Sequence, residues 1–526
     1  MIPDFHPGAI LILGGILVPL LRGWGLKALM CLLPVAALIN MMGVEAESDL
    51  NVGLMGFDLH VVRADKLSLV FGYLFHIAAL LASIYSLHVK DRLQLSTGLL
   101  YAGSGVGAVF AGDLITLFIF WTLLALTSVF QIWARKSKRS PRAGLRYLIV
   151  HIFSGLLLLA GAAVCYQAKG TPAFGAMTLD QPGAVLIFLA FGINCAFPLA
   201  HTWLTDTTEA TPTGTVFLCS FTTATAVYAM ARGFPGADQL VPIGVIMAIF
   251  PLFYSVIEND LRRVLGYSMI SQIGFMMVGI GLGKPGVGTV WGINGAVAHA
   301  FNAVLFNGLL FMSMGAVLLR TGRMNGSELG GLYRSMPWTT AFSMISAASI
   351  SAFPAFSGFV SISMVMSAAA AEGHFIVRLC LLFALAGVVQ NAGIKIPFFA
   401  FFAHDSGIRT KEAPFNMLIA MAIGAFLCVF IGCLPNFLYP HLPRDFGDNP
   451  YRPYTLTNII NQSQILFFSA SASAFTFLIL RGIYPPGLRS TNLDSDWLWR
   501  KGSVLVRRAW TRGRAYYSAA EVSGRW

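Results

Sequence analysis

Apolar stretches about 20 residues long recur from one end of this chain to the other, and that is the length of helix that crosses the hydrocarbon core of a bilayer. Leu67 to Ser86 and Val241 to Ile257 are apolar on every face, so they read as helices; a membrane β-barrel would alternate apolar and polar residues in segments of about ten. The fold class is therefore an all-α polytopic membrane protein. Of the 526 residues 56% are hydrophobic and only 11% charged, which leaves too few charges for a water-facing surface. The first apolar run, Ala9 to Leu21, lacks a basic leader and a small-residue cleavage site, and is expected to remain as a span.

The net charge of +12 would suggest nucleic acid in a soluble protein, but here it marks loops. Basic clusters at Arg22 and Lys27, Lys90 and Arg92, "RKSKRSPRAGLR" from Arg135, Arg262 and Arg263, and Arg320 to Arg334 alternate with the acidic loops "EAESDLN" from Glu45, Asp113, Asp238, Glu372 and "RDFGDNP". Basic loops stay on the cytoplasmic side. This places the N-terminus outside and the C-terminal tail inside a bacterial cytoplasmic (inner) membrane. The apolar runs, counted under that constraint, give about 14–15 transmembrane helices centred near residues 14, 35, 77, 103, 124, 157, 192, 222, 250, 273, 305, 350, 388, 426 and 470. The longest connection, Gly43 to Lys66, has room only for a short hairpin. Mixed Trp, Tyr, Leu and Arg in the tail from 481 suit a helix lying on the membrane surface against anionic lipid. The seven cysteines are scattered without a CxxC pair and read as small packing residues. No phosphate loop, nucleophile arrangement, metal cluster, quinone or flavin motif is present, so no cofactor is expected and an ordinary hydrolase or redox enzyme is disfavoured.

Two spans carry the same interruption. "GINCAFPLAHTWLTD" from Gly192 and "ISAFPAFSGF" from Ile350 each place Phe-Pro inside an otherwise spanning segment, where proline frees a carbonyl that a neighbour must satisfy. The two run in opposite directions with four spans between them, the pattern of inverted five-helix repeats with one broken helix each.

The segments "FPLAHTWLTDTTEATPTGTVFL", "ENDLRRVLGYSMISQIGFMMVGIG", "AHAFNAVLFNGLLFMSMGAVL", "SELGGLYRSMPWTTAF" and "SAFPAFSGFVS" resemble the large antiporter-like subunits shared by Mrp-type monovalent cation/proton antiporters and respiratory complex I. "GIKIPFFAFFAHDSGIR", "EAPFNMLIAM" and "YPPGLRSTNLDSDW" resemble the Mrp D-type subunit in particular. The resemblance runs from about Asp65 to Trp499. It implies broken seventh and twelfth helices, N-terminal helices over 1–112, bundles over 113–235 and 236–404, C-terminal helices over 405–480 and a basic tail over 481–526. It also implies other integral membrane subunits as partners, with lipids, H⁺ and Na⁺ or K⁺ as what the assembly meets, and a hydrated axis of ionisable residues at the membrane centre.

This chain departs from that axis. The positions where the family carries ionisable groups hold Thr122, Asn194, Ala224, Ala303, Asn307 and Ile362. Asparagine keeps polarity but cannot take up and release a proton at neutral pH. The surviving path candidates are Lys395, an intramembrane lysine or one that snorkels to the cytoplasmic face, and His299, a relay or a structural hydrogen-bonding group. His201, Asp206 and Glu209, where the broken helix reaches the cytoplasm, form either a mouth or a solvated loop. His76 and His151 read as packing residues, and "ENDLRR" from Glu258 as a topology anchor. Two functions follow: a membrane subunit of an ion-translocating antiporter-like or complex I-related assembly with an impaired proton path, or a conduction-inactive paralogue with a structural or docking role. Transport of another solute along the polar axis is a third, weaker reading.

Overall fold

The computed structural model describes residues 6–54, 56–284, 290–447 and 450–474, with isolated positions up to 511. The basic tail thus lies almost wholly outside the described residues. Helices α1 (Ala9–Leu17) and α2 (Gly23–Met42) precede a two-stranded antiparallel hairpin, β1 (Asp49–Leu54) and β2 (Phe57–Arg63). The bundle continues with α3 (Lys66–Tyr85), α4 (Arg92–Phe110), α5 (Leu114–Trp133), α6 (Ser140–Lys169), α7 (Ala184–Asn194), α8 (Thr202–Asp206), α9 (Pro212–Leu218) and α10 (Thr222–Gly233). After these come α11 (Leu240–Ile257), α12 (Leu261–Leu282), α13 (Trp291–Thr321), α14 (Pro337–Ile350), α15 (Ser357–Ala371), α16 (Phe375–Val388), α17 (Phe415–Cys433) and α18 (Leu456–Ala474). Each of the fifteen expected centres falls on one of these helices.

Ten helical segments among the described residues are long and apolar enough to cross a membrane. The remainder of the expected spans are shorter or more polar: α7 and α14 stop at the breaks, and α4 carries Ser, Thr, Gln and Gly on a mostly buried surface. Segment Pro212–Gly233 and α12 are buried along their length, whereas α6, α11 and α16 leave one face outward. Close backbone contact holds the core. A Cβ built on Gly274 of α12 would sit 2.7 Å from the carbonyl oxygen of Gly244 on α11, an approach that only glycine permits.

The internal repeat is written in hydrogen bonds. Asp113 caps α5 by accepting from the N–H groups of Ile115 and Thr116 at 2.8 and 2.7 Å, and Asp260 caps α12 by accepting from Arg262 and Arg263 at 2.9 and 3.3 Å. Helices α6 and α13, the 30- and 31-residue members, both end on a left-handed glycine, Gly170 (φ 70°) and Gly322 (φ 69°). Just beyond each glycine the chain forms a single antiparallel bridge back to the capping aspartate, Asp113 with Ala173 and Asp260 with Asn325.

The two breaks match in the same way. Ala196 and Leu199 in one, and Ala352 and Ala355 in the other, take φ of 60°, 71°, 55° and 72°. In the first, Phe197 N–H bonds Gly192 O and Ala196 N–H bonds Ile193 O; in the second, Phe353 N–H bonds Ala348 O and Ala352 N–H bonds Ser349 O. This is the Schellman pattern of a helix C-terminus, here with alanine where glycine is usual. The unwound stretch is then fixed by proline, which cannot continue the ladder. With five spans per repeat, an odd number, the two copies cross the membrane in opposite directions.

Candidate functional site

The centre of the bundle is where α10, α12, α13 and α15 meet. His299 on α13 is fully buried, with Nε2 2.7 Å from Gln272 Oε1 and Nδ1 3.1 Å from Ser361 Oγ. An amide oxygen only accepts, so Nε2 carries the proton and Nδ1 accepts from the serine hydroxyl. Both ring nitrogens are occupied in the neutral tautomer. His299 and Tyr147 on α6 lie equally far in sequence before their repeat's terminal glycine, and Tyr147 likewise uses its hydroxyl on a neighbour, Thr222 Oγ1 at 3.3 Å.

Beside His299 lies a cavity of about 20 Å³ lined by Thr223, Ala224, Gln272, Ala303 and Asn307 among others, close to the room one water requires. Three positions expected to carry charge, Ala224, Ala303 and Asn307, therefore share one wall-to-wall space. Its polar groups are two amides, a hydroxyl and the Cys219 thiol; Gln272 Nε2 and Asn307 Oδ1 point to no protein partner among the described residues. No carboxylate, lysine or histidine lines it. Ile362, fully buried next to Ser361, adds only hydrocarbon.

Asn194 ends α7 at the first break and is 2% exposed, its Oδ1 without a protein partner. It neighbours His151, whose ring is packed against Tyr147 and Trp203 at 4.1 and 4.6 Å between centroids. The carbonyl of Ile193, which accepts from Ala196 N–H at the end of the helix, also accepts from Trp203 Nε1 at 2.8 Å. Thr122, half-buried on α5, faces Gly155 of α6.

The remaining candidates sit at the end of the bundle that carries the basic loops. Lys395 lies in a π-helical stretch, Val389–Lys395, and its Nζ donates to the carbonyls of Ser255, Val256 and Glu258, each at 2.8 Å. All three ammonium protons are thereby used on the C-terminus of α11, where carbonyls lack partners in the helix and the dipole favours a cation. It does not meet His299 or the cavity. Asp206 is 5% exposed and held by Arg146 through a bidentate contact, one arm Nε to Oδ2 at 2.8 Å. Glu209 pairs with Arg135 at 3.4 Å and Arg139 at 3.9 Å. His201 is buried edge-on to Phe250 at 4.7 Å. These three residues are buried, and the two acids pair with arginines from α6 and from the α5–α6 connection. Arg262, buried at 1%, donates to the carbonyls of Ala210 and Thr211, so "ENDLRR" ties the two repeats together.

Sequence reasoning missed Gln272, Ser361 and Trp203. Gln272 had a signal, an amide in a helix with no polar face. The other two are ordinary residues until the break brings them beside a carbonyl or an imidazole. No cluster of three or more His, Cys, Asp or Glu that could hold a metal occurs among the described residues.

The transmembrane family described as NADH:quinone oxidoreductase/Mrp antiporter matches residues 111–389, more than half of the chain. The chain belongs to this family. Within the NADH:quinone oxidoreductase/Mrp antiporter family, the chain is 25% identical to hydrogenase-4 component B of Escherichia coli over 88% of its own length and 75% of that protein's. It is 29% identical to an A-type Na(+)/H(+) antiporter subunit of Alkalihalophilus pseudofirmus over 72% of its own length. The chain spans 53% of that relative, about half of its length. Of solved structures, the Mrp complex from Dietzia sp. aligns with a TM-score of 0.78 at 23% identity, covering 96% of this chain and 59% of the other. An archaeal membrane-bound sulfane sulfur reductase aligns at 0.77 and 21%, covering 98% and 95%. These two likenesses establish the fold, an antiporter-like membrane protein of many spans. Because an A-type relative matches a chain whose motifs resemble the D-type, the relatives establish the family and not the type within it.

Proposed function

We propose that the chain is a membrane subunit of a multi-subunit, ion-translocating assembly of the cation/proton antiporter or complex I-related kind, and that its own central axis does not carry protons. The observation that carries this reading is the 20 Å³ cavity lined by Ala224, Ala303 and Asn307: a proton relay needs groups that gain and lose a proton near neutral pH, and this space offers amides, a hydroxyl, hydrocarbon and one thiol, that of Cys219, which donates to Val216 O. His299 is saturated and Lys395 caps a helix, which removes the two surviving titratable candidates from the axis. What the fold retains is the packed repeat and its outward faces, suited to holding neighbouring subunits. Partner subunits are integral membrane proteins, H⁺ and Na⁺ or K⁺ are what the whole assembly moves, and the basic loops face the cytoplasm of a bacterial inner membrane. The D-type subunit and the division into a leading segment, two bundles starting at 113 and 236, and C-terminal helices from 405 belong to the same proposal.

The test is purification of the tagged protein in a gentle detergent, with mass spectrometry of what accompanies it. Stoichiometric recovery of small antiporter-like or hydrogenase-like membrane subunits is the expected result. A chain that purifies alone from native membranes would overturn it.

A further inference from the structure

One surface away from the axis is built unlike the rest. On the basic-loop side, the turn after α1, the start of α2 and the α3–α4 connection enclose a groove of about 240 Å³ lined by Arg22, Lys27, Lys90 and Arg92 over a floor that includes Leu26 and Met30. Some arginines on this side are matched by acids, as Arg146 is by Asp206 and Arg135 by Glu209. Here none of the four has a carboxylate partner among the described residues. Asp91, the adjacent acid, has turned Oδ1 to the N–H groups of Leu93 and Gln94 as the cap of α4. Arg92 is fixed by Nη1 donating to Pro19 O at 3.2 Å, and Lys27 lies over the Trp24 ring at 5.7 Å.

Two further features point to a ligand carrying both a phosphate and hydrocarbon. Helix α2 starts without any side-chain cap, its N-cap being Arg22 itself, so its first-turn N–H groups open beside the four cations; such a terminus is a ready phosphate site. Leu20 and Trp24, 76% and 85% exposed, flank the groove, and an indole at the start of a span sits at headgroup depth.

We propose that this groove binds the phosphodiester headgroup of an anionic phospholipid, with Arg22, Lys27, Lys90 and Arg92 around the phosphate and the acyl chains leaving over Leu26 and along Leu20. Free phosphate would leave the apolar floor unused, and an acidic protein segment would not need a floor at the depth where two spanning helices begin. Basic pockets between helices at this level are what anionic lipids recognise.

The test measures retention of phosphatidylglycerol by native mass spectrometry of the purified assembly, for the wild type and for Lys27→Gln with Lys90→Gln. The double change spares Arg92 and its bond to Pro19. Retention in the variant is expected to require roughly 30-fold more lipid, from the loss of two basic residues near a membrane surface. Inorganic phosphate at the same concentration is expected not to displace the lipid. Equal retention by both proteins, displacement by phosphate alone, or occupation of the groove by an acidic segment of a co-purified subunit would each overturn the proposal. Should the double variant not assemble, photoreactive phosphatidylglycerol is cross-linked to the wild type. Labels within residues 20–30 and 87–95 support the site, and labels confined elsewhere refute it.

Discussion

Lys395→Met separates a structural lysine from a conducting one. Methionine keeps the length and the apolar stem but removes three N–H donors from the carbonyls of Ser255, Val256 and Glu258. Lys395 is only 6% exposed, so water is not at hand to replace them. At about 1 kcal/mol net for each bond, the end of α11 loses ~3 kcal/mol, with a further contribution from the lost cation at the negative end of the helix. A local opening ~3 kcal/mol cheaper is roughly 150-fold more populated. Hydrogen exchange followed by mass spectrometry should therefore show peptides covering residues 252–262 exchanging about 100-fold faster, while peptides from α13 keep their wild-type rates. Ion flux through the assembly should fall only as far as protein stability does. Unchanged exchange together with abolished flux would refute the capping role and make Lys395 a carrier.

Other perturbations follow from the same geometry. Ala355 is outward-facing and held at φ 72°, so Ala355→Gly should relieve ~1 kcal/mol of left-handed strain against a smaller gain in unfolded-chain entropy, for a net stabilisation of about 0.5 kcal/mol in a denaturation series. At Ala352 the buried methyl offsets that gain, and Ala352→Gly should be close to neutral. Arg146→Ala leaves the Asp206 carboxylate, 5% exposed, short of its bidentate partner and should cost about 2 kcal/mol after allowing for the part of Arg146 that is solvated; adding Asp206→Ala should recover most of the loss, and simple additivity of the two changes would contradict the pairing. In the loop beyond the α16 span, Arg409 bonds both oxygens of Asp405 at 2.8 and 2.7 Å and Gly407 N–H bonds Oδ1 at 2.9 Å. These bonds, the arginine's foremost, hold that carboxyl below its ordinary range. A depressed value means that the contribution is present above the unfolded value of about 3.9 and is lost as pH falls towards the folded one. Protection of residues 404–411 against exchange, corrected for the intrinsic pH dependence of amide exchange, should stay constant from pH 7 to 5 and fall only in stronger acid; a loss already complete by pH 5 would count against the assignment.

How much could be read from the sequence depends on whether the determining contacts are local. Apolar runs put each expected centre on a helix, ten of the segments among the described residues being long and apolar enough to span, and proline placed both breaks, because each acts within one helical segment. The shape of the breaks was not legible: Ala196 and Ala352 are poor left-handed residues, and only the surrounding packing and the Schellman bonds hold them there. The matching antiparallel bridges Asp113 to Ala173 and Asp260 to Asn325 expose the repeat more plainly than the letters do, since the two copies share hydrogen-bond pattern and little sequence. At the site, neutralised Ala224, Ala303 and Asn307 could be named one by one, but their convergence on a single cavity with Gln272 required the fold. Asp206 and Glu209 could be either a mouth or a solvated loop in the sequence, because their arginines lie 60 and 74 residues away. For Lys395 the choice between a path residue and a snorkelling one stayed open, because the carbonyls it serves belong to a helix 140 residues upstream.

Whether protons pass along the axis of this chain is decided by filling its cavity. Asn307→Leu replaces the one amide of α13 that lines the space with a branched hydrocarbon. The intact assembly is reconstituted into liposomes and proton movement is followed with a pH-sensitive dye against an imposed cation gradient. An axis that carries no protons gives wild-type flux from an assembly of unchanged composition. A fall of tenfold or more with composition unchanged would show that protons do pass beside Asn307.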